Sequence, residues 1–193
     1  MLIALRVHPC PRRAMATNLL SRKIGRHFDL IDVNGDGKID QSDFALIVSL
    51  MRKEFPEPSA EPKLEALDNA YQGLWEQMRS DMDVDSDGAV SREEYVKHLQ
   101  SDRKSDYRAA IGPVAKAIID LADVDGDGML DDQELSKVHR ALNMGAKDHQ
   151  AAMAKLDLDG DGKISESELV QAIEEFFSSE DPEAGGNFLF GEF

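Results

Sequence analysis

Four twelve-residue stretches of the chain carry oxygen-bearing side chains at the alternating positions that a hard cation requires. They are DVNGDGKIDQSD from residue 32, DVDSDGAVSREE from 83, DVDGDGMLDDQE from 123 and DLDGDGKISESE from 157. Each has an oxygen-bearing side chain at positions 1, 3 and 5, glycine at 6, an aliphatic residue at 8 and an acid at 12. Ca²⁺ takes about six to eight oxygens, and the glycine lets the chain turn so that position 7 can offer its backbone carbonyl. The pattern therefore predicts four cation-binding loops.

This spacing resembles the EF-hand loop signature, D-x-[DN]-x-[DN]-G-x5-E. Three copies match it fully, and the first departs only at its last residue, Asp43. Ordinary Asp-Gly surface turns could explain one copy but hardly four. The predicted metal ligands occupy positions 1, 3, 5 and 12, together with the backbone carbonyl of position 7. They are Asp32, Asn34, Asp36, Lys38 and Asp43; Asp83, Asp85, Asp87, Ala89 and Glu94; Asp123, Asp125, Asp127, Met129 and Glu134; and Asp157, Asp159, Asp161, Lys163 and Glu168.

The first loop ends in Asp43, whereas the other three end in glutamate. Glutamate can reach the ion with both oxygens, but aspartate is shorter by one C–C bond, about 1.5 Å. We therefore expect the first loop to be the weakest Ca²⁺ site or a mixed Mg²⁺/Ca²⁺ site, with the charge of Lys38 as a small further penalty. The alternative is that Asp43 is a tolerated variation. The third loop adds Asp131 and has the most carboxylates, which predicts the tightest Ca²⁺ binding if the loops are equally rigid.

Apolar residues recur at helical spacing on both sides of the loops, for example Ile24, Phe28 and Ile31 before the first. Each loop is therefore predicted to lie between two helices, with a short helix after the second loop. The proline-rich EFPEPSAEP predicts a long linker that leads into a helix beginning in EPKLEALDNA. Gly112-Pro113 is expected to start or kink the helix before the third loop.

The aliphatic residues at position 8 are expected to pair between neighbouring loops; they are Ile39, Val90, Leu130 and Ile164. The predicted fold is all-α, with four EF-hands in two paired lobes that form a compact body, and short β-bridges between paired loops. The predicted segments are a disordered extension over residues 1–14, hands one and two over 15–104, hands three and four over 105–177, and an apolar tail over 178–193.

Composition narrows the classes of partner. Acids outnumber bases 38 to 22, which gives a net charge of −16. Such a surface repels nucleic acid and anionic membranes and attracts cations. No stretch has transmembrane length, and MLIALRV is too short, with its basic residues in the wrong order, for a secretory signal. The single cysteine, Cys10, excludes an internal disulfide, which fits a reducing compartment or indifference to redox state. We expect a cytoplasmic monomer.

Four hands, a wide spacing between the first two and the ending GGNFLFGEF resemble the sarcoplasmic calcium-binding proteins and their bacterial relative calerythrin. The resemblance runs from about Met15 to the end of the chain. It implies one compact body that buffers or carries Ca²⁺, often with a site that also accepts Mg²⁺. In calerythrin-like relatives the second loop is degenerate, whereas DVDSDGAVSREE is intact here. Occupancy of the second loop must therefore be argued from its own ligands, which are sufficient.

The alternative to a buffer is a sensor, which exposes an apolar groove on binding Ca²⁺ in order to bind a target protein. The tail contains Phe188, Leu189, Phe190 and Phe193, which we expect to fill a cleft of this same chain. Methionines at helical core spacing, Met78, Met82 and Met153, are expected in the core rather than at a target surface. A tail that swings out with Ca²⁺ would instead be a binding element. The sequence favours the buffer.

An enzyme is the third class, because calcium-triggered photoproteins show that this architecture can host chemistry. Their luciferin pocket uses His, Tyr and Trp from several helices, including the last. Here none of these residues follows His149, and no nucleophile motif or phosphate-binding loop is present. His98 and His139 are expected to be structural. We therefore expect no enzymatic activity.

Overall fold

A computed structural model describes residues 11–101 and 104–191 of the chain. Its helices are α1 (Pro11–Ile31), α2 (Gln41–Glu54), α3 (Glu61–Met82), α4 (Arg92–Leu99), α5 (Lys104–Ala122), α6 (Asp132–Ala141), α7 (Ala146–Leu156) and α8 (Glu166–Ser178). Its strands are β1 (Lys38–Ile39), β2 (Val90–Ser91), β3 (Met129–Asp131) and β4 (Lys163–Ser165). The predicted N-terminal extension covers residues 1–14, and its residues 1–10 lie outside the described residues. The remainder falls within α1, which begins at Pro11.

The four loops pair through their strands. β1 runs antiparallel to β2, with Ile39 opposite Val90, and β3 runs antiparallel to β4, with Leu130 opposite Ile164. All four of these side chains are buried. The predicted pairing between neighbouring loops is confirmed, and it places the first and second loops side by side, as it does the third and fourth.

Each helix that follows a loop begins with the same capping arrangement. The residue at loop position 9 is the N-cap, and the acid at position 12 is the third residue of the helix. After the second loop, Glu94 accepts a hydrogen bond from the backbone N–H of Ser91 at 2.9 Å, and Ser91 Oγ accepts from the N–H of Glu94 at 3.4 Å. This reciprocal capping box stabilises the start of the helix. The other N-caps are Asp40, Asp131 and Ser165.

The linkers agree with the sequence at all but one point. A short 3-10 turn, Pro58–Ala60, leads into α3, and α4 is short, as predicted. Of the two alternatives predicted for Gly112-Pro113, the start of a helix is wrong, because α5 begins at Lys104 and contains Pro113, and the kink stays a prediction. Tyr107, Ile111 and Val114 form one buried stripe across this proline. Burial of that stripe favours a continuous helix despite the missing N–H of proline.

The two halves share one hydrophobic core. α3 packs along α5, α2 contacts α6, and α1 contacts α8, so each contact joins the first pair of hands to the second. Met78 and Met82 are buried in this core, and Met153 packs against it. The predicted all-α body with two pairs of EF-hands and short strand bridges is confirmed. None of the described helices combines the length and apolar character needed to cross a membrane.

The segment after α8 packs on the helix itself through a second 3-10 turn, Gly185–Phe188. The N–H of Gly186 donates to Oε2 of Glu175 at 2.9 Å. A Cβ atom on Gly186 would lie 2.4 Å from the carbonyl oxygen of Ala172, so only glycine allows this approach. Leu189 beyond the turn is buried.

A buried lysine joins α1 to this C-terminal segment. Lys23 is 0% exposed, and its Nζ donates to the carbonyl oxygens of Glu175 (3.2 Å) and Ser179 (3.0 Å) and to Oδ1 of Asn187 (2.9 Å). Asn187 in turn donates to the carbonyl oxygen of Asp181 at 2.9 Å. Burial lowers the pKa of Lys23 to about 8, against the opposing effect of the Glu175 carboxylate. The contacts hold the two ends of the described chain together.

Candidate metal centres

Three of the four loops gather carboxylates from positions 1, 3 and 12. In each group, one oxygen from every member lies within 4.8 Å of the others. The groups are Asp83, Asp85 and Glu94; Asp123, Asp125 and Glu134; and Asp157, Asp159 and Glu168. Because like charges repel, three carboxylates at this spacing are an arrangement that a bound cation would stabilise.

Backbone hydrogen bonds within the loop hold the carboxylates of positions 1 and 5 inward. In the third loop, Asp123 accepts from the N–H groups of Asp127 (3.2 Å) and Gly128 (3.0 Å). Asp127 accepts from the N–H of Met129 at 2.9 Å. The turn depends on position 6, where φ lies between 83° and 90°, a region that glycine adopts without steric cost. The glycines concerned are Gly37, Gly88, Gly128 and Gly162.

The glutamate at position 12 spans its loop with both oxygens. Glu94 accepts from the N–H of Val84 at 2.9 Å through one oxygen and from the N–H of Ser91 at 2.9 Å through the other. Glu134 and Glu168 make the same two contacts. Burial raises the pKa of Glu94, but the hydrogen bonds from Ser91 and the loop amides outweigh it and leave that pKa below its usual value. The Glu94 carboxylate is therefore ionised at neutral pH.

Asp43 closes the first loop differently. It is 0% exposed, and it accepts from the N–H of Asp40 at 3.0 Å and from the N–H of Asn34 at 3.3 Å. The position-2 amide, which binds glutamate in the other loops, donates here from Val33 to the carbonyl oxygen of Ile31. Burial raises the pKa of Asp43, while both amide hydrogen bonds lower it. The shorter side chain thus reaches positions 9 and 3 of its loop but not position 2.

The first loop also differs in its donor set. Asn34 stands at position 3, and in the part of the chain that the structure describes the first loop forms no group of three gathered carboxylates. Asp32 and Asp36 still accept loop amides, as their counterparts do: Asp32 from the N–H of Gly37 at 2.9 Å, and Asp36 from the N–H of Lys38 at 2.9 Å. Asp161 in the fourth loop accepts from the N–H of Lys163 at 2.8 Å. The first loop therefore has the same turn with fewer charges.

Lysine side chains cross between paired loops, a feature that the sequence analysis missed. Lys38 Nζ of the first loop lies 2.5 Å from Oδ2 of Asp87 in the second, and Lys163 of the fourth contacts Asp127 of the third. The contact with Lys38 lowers the pKa of Asp87. The charge of Lys38 thus acts on Asp87 of the neighbouring loop as well as on Asp36 of its own. The antiparallel register, with Lys38 opposite Ser91, is the signal that could have revealed it.

The second loop contains the one backbone departure among the four. Position 4 has positive φ in every loop, and it is glycine in three of them, for example Gly126 at 78°. In the second loop this position is Ser86, with a φ of 59°. A residue with a Cβ atom is disfavoured in this left-handed region by about 1–2 kcal/mol. The second loop therefore carries local strain that the others lack.

The donor set fits a hard divalent cation. The gathered groups present carboxylate oxygens, with a loop geometry that can add a backbone carbonyl at position 7, and they include neither sulfur nor imidazole. Oxygen ligands of this kind suit Ca²⁺ and Mg²⁺ and do not suit the softer transition metals. Ca²⁺ would be held by positions 1, 3, 5, 7 and 12 of each loop.

The comparisons with known proteins agree with this geometry. The family model for the EF-hand domain pair matches residues 21–100 and 115–185. The chain therefore belongs to the EF-hand family, in the group that contains calerythrin and the sarcoplasmic calcium-binding proteins. The predicted family resemblance is confirmed.

Individual relatives cover most of the chain. It is 31% identical to the sarcoplasmic calcium-binding protein beta chain of Penaeus sp., over 84% of this chain and 90% of the relative. It is 25% identical to calerythrin of Saccharopolyspora erythraea, over 84% and 94% of the two chains. A solved structure of a Streptomyces coelicolor calcium-binding protein, described as a basis for calcium-mediated regulation, matches with a TM-score of 0.73 and 32% identity. That match covers 82% of this chain and 97% of the other.

Proposed function

We propose that this protein binds up to four Ca²⁺ ions as an intracellular buffer or store. The observation that carries the proposal is the gathering of three carboxylates within 4.8 Å in each of the second, third and fourth loops. The ligands would be the residues at positions 1, 3, 5, 7 and 12 of each loop. An ion would neutralise carboxylates that otherwise repel one another, so binding should stabilise the fold.

The first loop is proposed as a mixed Mg²⁺/Ca²⁺ site. Asp43 is shorter than glutamate and already bonds two loop amides, and Asn34 removes one charge from the donor set. Mg²⁺ prefers six-fold coordination and keeps several waters, so it needs fewer protein oxygens than Ca²⁺. Fewer charged ligands also weaken Ca²⁺ binding. The first loop would therefore discriminate least between the two ions.

A buffer is favoured over a sensor because the exposed apolar side chains are scattered rather than gathered in one groove. The described large apolar side chains that are exposed lie on five separate segments, namely Leu46, Val84, Val124, Leu158 and Val170. The tail packs on α8, which supports a tail that covers its own chain rather than one that is free to bind a target. The sensor remains the second candidate, since the Streptomyces coelicolor relative is described in terms of calcium-mediated regulation. A sensor would have to release this tail on binding Ca²⁺.

The remaining proposals follow from the same features. We infer a cytoplasmic monomer without catalytic activity that binds neither nucleic acid nor membranes, since its charge of −16 repels anionic surfaces. We also propose that residues 15–104 and 105–177 are the two pairs of hands and that 178–193 is an apolar tail packed on the body. The shared core implies that the pairs do not act as independent domains.

Calorimetric Ca²⁺ titration of metal-free protein, with and without millimolar Mg²⁺, tests the proposal. Fluorescence of Trp75 and of an apolar dye would be followed in parallel. A buffer predicts submicromolar sites, Mg²⁺ competition confined to about one of them, and no dye uptake on adding Ca²⁺. Micromolar cooperative binding with strong dye uptake would establish the sensor instead. Absence of Ca²⁺ binding would overturn both.

A further inference from the structure

A cavity of about 110 Å³ lies inside the body, between the two pairs of hands. Its wall is almost wholly apolar and is formed by α1, α2, α3, α5, α6, α8 and the tail. Representative lining residues are Leu30, Phe44, Leu74, Val114, Leu135 and Ile173. Native cores contain few voids larger than a water molecule, so a space of this size at the centre of the protein needs an explanation.

Four buried polar side chains line this cavity, namely His27, Tyr71, Tyr107 and His139, and two of them belong to one chain of hydrogen bonds. His27 is 3% exposed and Tyr107 is 1% exposed. Nδ1 of His27 lies 2.5 Å from the hydroxyl oxygen of Tyr95, and that hydroxyl donates to the hydroxyl oxygen of Tyr107 at 3.0 Å. Since Tyr95 donates onward, Nδ1 of His27 carries the hydrogen, and Nε2 is left with a lone pair.

The chain of hydrogen bonds leaves one acceptor and one donor unused. Within the described residues, Nδ1 of His27 and the hydroxyl oxygen of Tyr107 have hydrogen-bond partners, which leaves Nε2 of His27 and the hydroxyl hydrogen of Tyr107 available to a ligand. Burial lowers the pKa of His27 to about 3, so its imidazole is neutral at pH 7. Both atoms belong to residues that line the cavity, so a ligand with a hydroxyl group could form hydrogen bonds with them.

We propose that the cavity binds a small neutral molecule of the phenol class, with one aromatic ring and one hydroxyl group. The hydroxyl would donate to Nε2 of His27 and accept from Tyr107, and the ring would contact the apolar wall. An apolar cavity of about 150 Å³ is known to take benzene, so a volume of this order suits one ring and excludes a multi-ring ligand. The proposal is independent of Ca²⁺ binding and adds a second kind of site.

The chemistry of the wall selects against charged ligands. A carboxylate would lose its hydration in an apolar space with no cation facing it, because burial lowers the pKa of both lining histidines, to about 3 for His27 and about 4 for His139, and keeps them neutral at pH 7. A bound water is the competing occupant, since it needs two or more polar partners and the wall offers at least His27 and Tyr107. A water molecule gains no stabilisation from contact with the apolar wall, whereas an aromatic ring does. Measuring whether phenol and toluene bind therefore distinguishes a cavity that takes an aromatic ring from one that holds only water.

The test is titration of the Ca²⁺-saturated full chain with phenol and with toluene, followed by calorimetry and by thermal unfolding. We expect one molecule bound per chain, with phenol about tenfold tighter than toluene because of its hydrogen bonds. Failure of the wild-type protein to bind either compound would overturn the proposal and leave the cavity to water. Ca²⁺ binding is measured in a separate experiment, so the proposed phenol site can be wrong while the proposed Ca²⁺ sites are right, and the reverse.

Matched variants locate the site. Ala115 lines the cavity, so Ala115→Phe should abolish binding of both compounds, whereas Ala109→Phe, at an exposed position of the same helix, should leave both unchanged. Tyr107→Phe keeps the ring and removes the hydroxyl, which should reduce the preference for phenol to about threefold or less. Unchanged binding in Ala115→Phe would place the ligand elsewhere. An unchanged preference in Tyr107→Phe would overturn the assigned hydrogen bond.

Discussion

The ammonium group of Lys38 lies 2.5 Å from Oδ2 of Asp87, so a residue of the first loop neutralises a predicted Ca²⁺ ligand of the second. Lys163 of the fourth loop contacts Asp127 of the third in the same way. In both pairs the lysine is at position 7 and the aspartate is at position 5 of the neighbouring loop. The lysine is thus placed to compete with an incoming cation for that carboxylate.

Lys38→Ala should strengthen Ca²⁺ binding at the second loop. Removal of the ammonium group frees the Asp87 carboxylate, so an incoming ion no longer has to displace Lys38 from it. The pair is exposed to solvent, so we expect only about a two- to fivefold gain in affinity, resolved by calorimetric titration. Lys53→Ala, at the far end of α2, makes the same change in net charge and should have little effect. Equal gains in both variants would point to net charge rather than to the contact with Asp87.

Asp43→Glu should raise the preference of the first loop for Ca²⁺ over Mg²⁺. The longer side chain could reach the position-2 amide and offer both oxygens to an ion, as the glutamates of the other loops can. We expect about a tenfold increase in the Ca²⁺/Mg²⁺ affinity ratio, measured by competition calorimetry. The reciprocal change Glu94→Asp should lower that ratio at the second loop. Unchanged Mg²⁺ competition in Asp43→Glu would mean that Asp43 is only a tolerated variation.

Ser86→Gly should stabilise the second loop, because Ser86 adopts a φ of 59° that glycine reaches without a steric penalty. We expect a gain of about 0.5–1 kcal/mol in the free energy of unfolding, after the extra chain entropy of glycine is subtracted. Urea denaturation of the Ca²⁺-loaded protein would measure it. The reverse change in the third loop, Gly126→Ser, should cost a similar amount. A loss of stability in Ser86→Gly would show that the serine side chain makes a compensating contact.

Gly186→Ala should loosen the tail. The added methyl group would meet the carbonyl oxygen of Ala172 at 2.4 Å and Cβ of Glu175 at 2.6 Å, so the 3-10 turn must move away from α8. We expect a loss of about 1–3 kcal/mol in the free energy of unfolding and new binding of an apolar dye. Gly73→Ala in α3, where no atom lies within 4 Å of the new methyl group, should instead be neutral or stabilising. No dye binding by Gly186→Ala would mean that the tail tolerates the methyl group in place.

His27 should make the protein less stable as the pH falls below about 6.5. Burial lowers its pKa in the folded state to about 3, so between these values the unfolded chain takes up a proton that the folded chain does not. Stability should therefore fall by up to about 1.4 kcal/mol per pH unit across this range. Urea denaturation at pH 7.0 and 5.5 in saturating Ca²⁺ would measure the difference.

His27→Phe should reduce this pH dependence because it removes the titrating imidazole from among Phe176, Phe177 and Phe190. Tyr95→Phe is the matched control, since it removes the same hydrogen bond but keeps the imidazole. It should lower stability at both pH values and leave the pH dependence as it is. Identical slopes in wild type and His27→Phe would assign the acid sensitivity to other groups.

The sequence by itself determined the four loops, the helices around them and the pairing between them. These features depend on local chemistry: alternating oxygens, a glycine at the turn, and an acid that caps the next helix. The pairing of loops could be predicted because an extended residue at position 8 can pair only with its counterpart in the neighbouring loop. The observed pairs are Ile39 with Val90 and Leu130 with Ile164. The family followed from the same repeated pattern. Local patterns suffice where each residue acts on its own neighbours in the chain.

Tertiary structure decided what depends on residues far apart in the chain. The charge of Lys38 acts on Asp87 because strand pairing brings one loop beside the other. Lys23 is buried because α8 and the tail supply three acceptors from more than 150 positions away, and helical spacing alone could not reveal them. The central cavity and the polar groups of His27 and Tyr107 arise where seven segments meet. Such contacts depend on how helices pack, which no single stretch of sequence encodes.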